Sequence, residues 1–168
     1  MTDNERLAEL LFPNISWTPQ QYEEQYPARQ LPEGARVTRF SPSPTGYLHI
    51  GGLFAAMTAR LTAKATSGVF FLRIEDTDKK REVEGGVTAI VTGLAAFGIT
   101  PDEGITGLGT ESGVYGPYQQ SKRREIYQCF AKELVRQGLA YPCFCTEAEL
   151  TALREQQEAQ AVNKGYYG

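Results

Sequence analysis

Apolar residues recur along this chain at two different spacings, and each spacing predicts a different kind of element. Between residues 50 and 65 the steps are three and four residues, which is the spacing along one face of a helix. The residues on that face are Ile50, Leu53, Phe54, Met57 and Leu61. Residues 37–40 and the run that starts at residue 69 are rich in β-branched and aromatic side chains, which favours strands. A strand, a helix and a second strand in this order predict a βαβ unit within a parallel sheet, with the second strand buried on both faces.

The rest of the chain is predicted to be mostly helical. Gly85, Gly86 and Gly93 weaken one of these helices, and close packing against the sheet would explain why glycines are there. A loop is predicted where Gly, Thr, Ser and Pro accumulate. The predicted elements are helices over residues 4–12, 19–26 and 83–97, a long loop over residues 99–118, a helix capped by Ser121, and a helix that runs from the capping box of Thr146 and Glu149 to about residue 160.

The junction between the first strand and the first long helix has the composition of a phosphate-binding corner. Pro42 and Pro44 lack a backbone N–H, so the chain has to turn after the strand. Gly51 and Gly52 fall in the first turn of the helix, where free N–H groups carry partial positive charge and the missing Cβ lets a phosphate approach. His49, the only histidine, can donate one N–H to a phosphate oxygen. Taken alone, a histidine at this position more often caps the helix or lies on the surface.

Charged residues mark the carboxyl end of the second predicted strand. Glu75 lies at this end, and Arg73 projects from the same side because side chains alternate along a strand. Ligands of open parallel sheets bind beyond such strand ends, so we expect Arg39, Ser43 and Glu75 to converge over one crevice. A cation, a hydroxyl and a carboxylate together suit a zwitterionic amino acid.

The acidic residues that follow Glu75 are expected to have a local role only. Asp76 and Asp78 are predicted to form an acidic turn. In that turn, Thr77 or Asp78 would cap the next helix.

Three motifs together resemble the signature of the class I glutamyl-tRNA synthetases. They are RFSPSPTGYLHIGG at residues 39–52, LRIEDTD at residues 72–78 and GPYQQS at residues 116–121. Their order and spacing make the resemblance specific, and it spans roughly residues 36–141. The resemblance makes residues 49–52 this chain's version of the His-Ile-Gly-His signature, with Gly52 in place of the last histidine. The LRIEDTD form also favours the glutamyl branch over the glutaminyl branch.

The resemblance implies an α/β fold: a Rossmann-like parallel sheet with flanking helices, the first half of a class I catalytic domain, followed by the start of an α/β insertion. The expected division is a helical extension over residues 1–33, the ATP- and glutamate-binding half over residues 34–115, and the start of an acceptor-stem-binding domain over residues 116–168. The implied activity is ATP-dependent formation of glutamyl-adenylate and transfer of glutamate to tRNA(Glu), with Mg²⁺ bridging the phosphates.

The resemblance also implies which residues hold the substrates. For L-glutamate these are Arg39, Ser41, Ser43 and Glu75, with Glu75 facing the ammonium group. For ATP they are Pro42, Thr45, His49, Gly51 and Gly52, of which the last three are the catalytic positions. Lys122, Arg123 and Arg124 are candidates for contact with the tRNA acceptor stem, although a solvated helix face explains this basic cluster equally well.

Cysteine content and charge narrow the picture further. Cys143 and Cys145 provide half of a tetrahedral zinc site, and the resemblance implies a second pair just past residue 168, so Zn²⁺ is expected only in a longer protein. Cys129 is expected to be a small buried residue. Three cysteines, no signal peptide and no long apolar run favour the cytoplasm and no membrane partner.

A net charge of −3 gives no bulk attraction to nucleic acid, so no DNA partner is expected, whereas a local patch suffices for tRNA.

Other functions share part of these features. A synthetase that glutamylates a modified base of tRNA(Asp) would carry the same motifs. A different nucleotidyltransferase would explain His49 but not Glu75, and a non-catalytic module that binds ATP or an amino acid is a third alternative. The Lys-Met-Ser-Lys-Ser type loop of class I synthetases is not found in these residues. We therefore expect an amino-terminal fragment that binds substrates weakly at most and does not charge tRNA alone.

Overall fold

The structure, a computed structural model, describes residues 1–166. Within them the chain forms one sheet with helices on its faces, followed by a helical segment. No helix in this described part combines the length and the apolar content that crossing a membrane requires. The elements are α1 (Asp3–Leu11), α2 (Pro19–Gln25), β1 (Val37–Phe40), α3 (Ile50–Ala65), β2 (Val69–Leu72), α4 (Gly86–Ala96), β3 (Glu103–Gly107), β4 (Thr110–Ser112), a 3₁₀ turn (Gln120–Arg123), α5 (Arg124–Arg136) and α6 (Glu147–Ala159).

The four strands lie in the order β1-β2-β3-β4. Strands β1, β2 and β3 are parallel, which confirms the predicted βαβ unit and the α/β fold class, while β4 is antiparallel to β3 and makes the sheet mixed. The prediction of a long loop over residues 99–118 was wrong, because β3 and β4 lie within it. Gly104 made β3 hard to predict, because glycine is unusual in strands. Here glycine is required, since φ is 120° and a Cβ would lie 2.1 Å from the carbonyl oxygen of Leu72.

The core lies between the sheet and helices α3 and α4. Helix α3 presents mainly small residues to the sheet, with Ala56 and Ala63 fully buried. The predicted apolar face was therefore partly wrong, since Ile50 and Phe54 are 80% and 74% exposed. Alanines let the helix backbone approach the strands closely, and the hydroxyl of Thr38 on β1 donates to the carbonyl of Ala59 at 2.8 Å. The buried core consists of Ala56, Ala63, Phe70, Leu72, Ile74, Ile90, Leu94, Ile99, Ile105 and Tyr118.

Two helices begin later than predicted. Helix α4 begins at Gly86 and not at Val83, because Gly85 in front of it has a left-handed backbone with φ of 73°. Helix α5 begins at Arg124 after the 3₁₀ turn, and Ser121 does not cap it. The hydroxyl of Ser121 donates instead to a distant carboxylate, that of Asp76.

The first 33 residues pack on the later part of the chain. Helix α1 lies against α5 and buries Ala8 completely. Cys129 on α5 is buried, as predicted, and its thiol donates to the carbonyl of Trp17 at 3.0 Å. Arg29 reaches across to Glu103 on β3, so this extension contacts both the sheet and α5. The division of the chain into three domains stays a prediction.

Candidate active site

The proline-rich loop after β1 contacts helix α4 and the residues just before it. Pro44 is buried, and its carbonyl accepts the backbone N–H of Val83 at 2.9 Å. A Cβ on Gly86 would lie 2.9 Å from that same carbonyl oxygen, and one on Gly93 would lie 3.5 Å from Leu48. These two glycines therefore face the loop and not the sheet, which corrects the expectation from the sequence. The loop therefore packs against the first residue of α4 and is hydrogen-bonded to Val83 before it.

A cavity of about 400 Å³ opens between this loop and the start of α3, a size in the range of small-molecule sites. The structure thus brings together five of the residues predicted to contact substrates, namely Pro42, Ser43, Thr45, His49 and Gly52. Gly51 and Ser41 do not line it. The full lining is Phe40, Pro42, Ser43, Thr45, Gly46, Tyr47, Leu48, His49, Gly52 and Ile90.

His49 occupies the N-cap position of α3. Its backbone is extended, and its Nδ1 accepts the N–H of Gly51 at 3.1 Å. The amide of Gly51 is therefore used within the helix cap and is not free, contrary to expectation. A neutral imidazole whose Nδ1 accepts a hydrogen bond carries its proton on Nε2, so the ring keeps one donor. Because His49 is exposed and lines the cavity, this donor is available to a ligand.

A second cluster of charges lies beside the cavity, just beyond the end of β2. One carboxylate oxygen of Glu75, Oε1, lies 3.1 Å from Nη2 of Arg73 and 3.8 Å from Nη1 of Arg39. The backbone N–H of Glu75 donates to the carbonyl of Pro42 at 3.0 Å. Arg39 and Glu75 therefore meet as predicted, while Ser43 lies in the cavity. The cavity and the charged cluster are neighbours that are connected through Pro42, but Glu75 does not line the cavity itself.

Arg73 is a further candidate for the site, one that was not selected from the sequence. Its side chain is only 18% exposed and contacts Glu75 directly. Within residues 1–166 its buried Nε has no hydrogen-bond partner. The alternation of side chains along the strand predicted from the sequence already placed Arg73 on the same side as Glu75, so the sequence contained the information needed to select it.

Asp76 is not part of a simple acidic turn, which corrects the prediction. It is 1% exposed and accepts hydrogen bonds from the N–H and hydroxyl of Ser121 and from the side chains of Gln119 and Lys79. Burial by itself raises the pKa of this carboxyl, but the hydrogen bonds from these residues outweigh it and lower the pKa to about 2. Asp78 pairs with Arg81. Because α4 begins at Gly86, neither Thr77 nor Asp78 caps it.

The candidate tRNA-binding residues differ in solvent exposure and in whether they have partners within the chain. Lys122 in the 3₁₀ turn and Arg124 at the start of α5 are exposed. Arg123 is partly buried and donates to the carbonyl of Pro117 at 2.8 Å, so its guanidinium has an internal partner. Lys132 on the same helix pairs with Glu9.

The two candidate zinc ligands lie close together on the surface. The thiols of Cys143 and Cys145 both lie 3.4 Å from the hydroxyl of Tyr166. The hydrogen bond to Tyr166 lowers the pKa of the Cys143 thiol, which favours the thiolate that metals bind. In the described residues no group of three His, Cys, Asp or Glu side chains is placed to hold a metal ion. That Cys143 and Cys145 form half of a zinc site stays a prediction.

Three comparisons relate this chain to known proteins. Residues 36–167 match the family described as tRNA synthetases class I (E and Q), catalytic domain. The glutamate–tRNA ligase of Clostridium perfringens (strain 13) is 54% identical over 164 residues, which is 98% of this chain and 30% of the relative. That of Acetivibrio thermocellus is 53% identical over 167 residues, 99% of this chain and 30% of the relative. The chain thus spans about 30% of the length of the curated relatives it matches.

Solved structures give the same picture. The crystal structure of a glutamate-tRNA synthetase from Elizabethkingia anophelis aligns with a TM-score of 0.69 and 42% identity, covering 80% of this chain and 26% of that one. A glutamate tRNA ligase from Elizabethkingia meningosepticum in complex with its amino acid aligns with a TM-score of 0.67 over the same shares, again at 42% identity.

Proposed function

Because the chain belongs to the family of class I tRNA synthetases for glutamate and glutamine, we propose that it forms part of an enzyme that activates L-glutamate with ATP and transfers it to tRNA(Glu). One observation carries this proposal. The cavity lined by His49 and Gly52 and the charged cluster of Arg39, Arg73 and Glu75 are neighbours, joined by the hydrogen bond from Glu75 to Pro42.

The cavity suits the phosphates of ATP. Nε2 of His49 is a donor without a permanent charge. Gly52 in the first turn of α3 also lines the cavity, and a Cβ there would lie 2.9 Å from the side chain of Leu48. The amino end of α3 adds partial positive charge. Thr45 and Pro42 complete the wall of the cavity on the loop side. Gly51 contributes indirectly, because its N–H holds the imidazole of His49 in place.

The charged cluster suits the amino acid. The closest contacts of both guanidinium groups are with Oε1 of Glu75, and we assign Oε2 to the ammonium group of glutamate. The side chain of Arg39 is 42% exposed and can also bind a substrate carboxylate. Ser43 lines the cavity and Ser41 lies in the same loop, and both hydroxyls are proposed to donate to the substrate.

In the proposed reaction a carboxylate oxygen of glutamate attacks the α-phosphorus of ATP, and the bond to pyrophosphate breaks. A terminal ribose hydroxyl of tRNA then takes the glutamyl group, and AMP leaves. The protein contributes no nucleophile. It accelerates the reaction by holding the reactants in line and by stabilising the negative charge on the phosphate in the transition state. Mg²⁺ bound to the nucleotide would neutralise phosphate charge.

Other parts of the proposal concern the whole protein. Lys122 and Arg124 are proposed to contact the acceptor stem, since both are exposed cations. Cys143 and Cys145 are proposed to hold Zn²⁺ only together with ligands from a longer chain. The cytoplasm is the proposed location, because a reducing compartment suits thiols that remain free.

Titration calorimetry on the full-length protein that contains this chain tests the proposal. We expect a non-hydrolysable glutamyl-adenylate analogue to bind more tightly than ATP or glutamate, since it contacts both corners at once. An analogue that does not bind the full-length protein would defeat the proposal.

A further inference from the structure

Asp76 lies next to Glu75, but its side chain is buried among hydrogen-bond donors. Oδ1 of Asp76 accepts the N–H of Ser121 at 2.8 Å. Oδ2 accepts the hydroxyl of Ser121 at 2.6 Å and the amide of Gln119 at 2.8 Å. Lys79 adds a longer contact of 3.3 Å from its ammonium group. A buried carboxylate with this many donors is held in a single orientation.

The residue on the other side of Glu75 is fixed to the same segment. The N–H of Ile74 donates to the carbonyl of Tyr118, and the carbonyl of Ile74 accepts the N–H of Gln120, both at 2.9 Å. Ile74 and Asp76 therefore both attach to residues 118–121. Since side chains alternate along extended backbone, Glu75 between them points to the other side, where Arg39 and Arg73 lie.

Regular sheet pairing does not reach Glu75. Strand β2 ends at Leu72 and β1 ends at Phe40, so Glu75 lies beyond the ladder. Its backbone is held by one hydrogen bond to Pro42 and, through its two neighbours, by residues 118–121. The direction of its carboxylate therefore depends on contacts outside the strand.

We propose that Asp76 is a positioning residue: by holding residues 118–121 it keeps the carboxylate of Glu75 beside Arg39 and Arg73, where the amino acid binds. This inference rests on the proposed function, because it takes the charged cluster as the glutamate site. The ATP cavity has further supports of its own, namely the His49 cap and the packing of Gly86 in α4 against Pro44, so we expect the loss of Asp76 to affect it less.

The test compares Asp76→Asn with Asp78→Asn in the full-length protein. Asparagine has the same shape, but its NH₂ group cannot accept the hydrogen bonds that reach Oδ2. Asp78 is the matched control, an acidic residue of the same segment whose side chain pairs with the nearby Arg81. Calorimetry should show the Kd for glutamate raised at least tenfold in Asp76→Asn, with the Kd for ATP within threefold of the wild type. Asp78→Asn should leave both unchanged.

Equal losses for both ligands, or no loss for glutamate in a folded Asp76→Asn protein, would overturn the inference. If Asp76→Asn does not fold, Ser121→Ala decides by the same criterion, because it removes the hydroxyl donor and keeps the N–H. Amide hydrogen exchange separates this inference from the proposed function. Faster amide exchange at Glu75 in the variant, with exchange at Phe70 unchanged, would support the positioning role of Asp76. If the wild type does not bind glutamate, the proposed function is wrong, but the exchange result still tests the positioning role. Unchanged exchange at Glu75 overturns the positioning role.

Discussion

Nδ1 of His49 accepts the backbone N–H of Gly51 at 3.1 Å, so one imidazole ring caps helix α3 and faces the candidate ATP cavity at the same time. The two nitrogens of the ring have separate tasks. Nδ1 satisfies an amide that the helix would otherwise leave unpaired, and Nε2 remains as a donor. A substitution can therefore remove the Nε2 donor and keep the helix cap.

His49→Asn should separate the cap from the ATP contact. Asparagine is among the best N-cap residues, so its side chain can replace Nδ1, whereas it is too short to replace Nε2. We expect the melting temperature of His49→Asn to stay near that of the wild type and its Kd for ATP to rise about tenfold, or about 1.4 kcal/mol. His49→Ala should lose about 1 kcal/mol of stability as well. Equal ATP affinity in His49→Asn and wild type would show that Nε2 does not contact the nucleotide.

Glu75→Gln should weaken glutamate binding and spare ATP. Glutamine keeps the size of the side chain and an oxygen for Arg73, but it removes the negative charge that we assign to the substrate ammonium group. The Kd for glutamate is expected to rise at least tenfold, or about 1.4 kcal/mol, in calorimetry. Glu84→Gln is the control, since Glu84 is exposed and lies outside the cluster. A parallel rise in the Kd for ATP would contradict the separation of the two corners.

Two glycines of helix α4 should respond to alanine in opposite ways. A Cβ on Gly86 would meet the backbone of the buried Pro44 at 2.9 Å, so Gly86→Ala has to displace the loop, and we expect a loss of about 1–3 kcal/mol and weaker ATP binding. A Cβ on Gly93 would lie at an ordinary 3.5 Å from Leu48, so the helix propensity of alanine should stabilise the protein by up to about 1 kcal/mol. Urea denaturation of both variants measures these changes. A destabilised Gly93→Ala would mean that the loop cannot accommodate even this contact.

The sequence predicted the parts of the fold that depend on local pattern. Strands β1 and β2 and helix α3 follow from the spacing of apolar residues and from the glycines and prolines between them. Strand β3 was missed, because Gly104 and Gly107 give it no alternation and its pairing depends on close approach to Leu72. That requirement is visible only when both strands are in place.

In the candidate site, too, only the features that depend on local sequence could be predicted. Glu75 and His49 were predicted because their residue types suit the chemistry at a strand end and a helix start. Asp76 was assigned a local role, since its principal partner, Ser121, lies 45 residues further along the chain. No local pattern signals a hydrogen bond over that separation.

Asp76 should contribute to stability above about pH 4 and lose that contribution as the pH falls. Its pKa is lowered from 3.8 to about 2 in the folded state, so the unfolded chain takes up its proton first on acidification. The shift corresponds to about 2 kcal/mol. The stability difference between wild type and Asp76→Asn, measured by urea denaturation, should therefore narrow between pH 4 and pH 2. A difference that is constant over this range would contradict the lowered pKa.

Arg29 should anchor the amino-terminal extension to the sheet. Its guanidinium forms two hydrogen bonds to the carboxylate of Glu103, at 2.5 and 2.6 Å, and lies 3.7 Å from the ring centroid of Tyr115. Oε2 of Glu103 also accepts the hydroxyl of Tyr118 at 2.7 Å, and the hydrogen bond from Arg29 lowers the pKa of Glu103. Removal of the arginine would leave a largely buried carboxylate with one neutral donor.

We therefore expect Arg29→Met to lose about 3 kcal/mol in urea denaturation at pH 7, because an unpaired charge remains in a site that excludes most water. Arg29→Lys should lose less, since lysine keeps the charge but cannot form both hydrogen bonds. Arg136→Met is the matched control: Arg136 pairs with Glu133 on the exposed surface of α5, and such pairs contribute about 1 kcal/mol or less. Similar small losses in Arg29→Met and Arg136→Met would show that the extension is held by its apolar contacts with α5 and not by this ion pair.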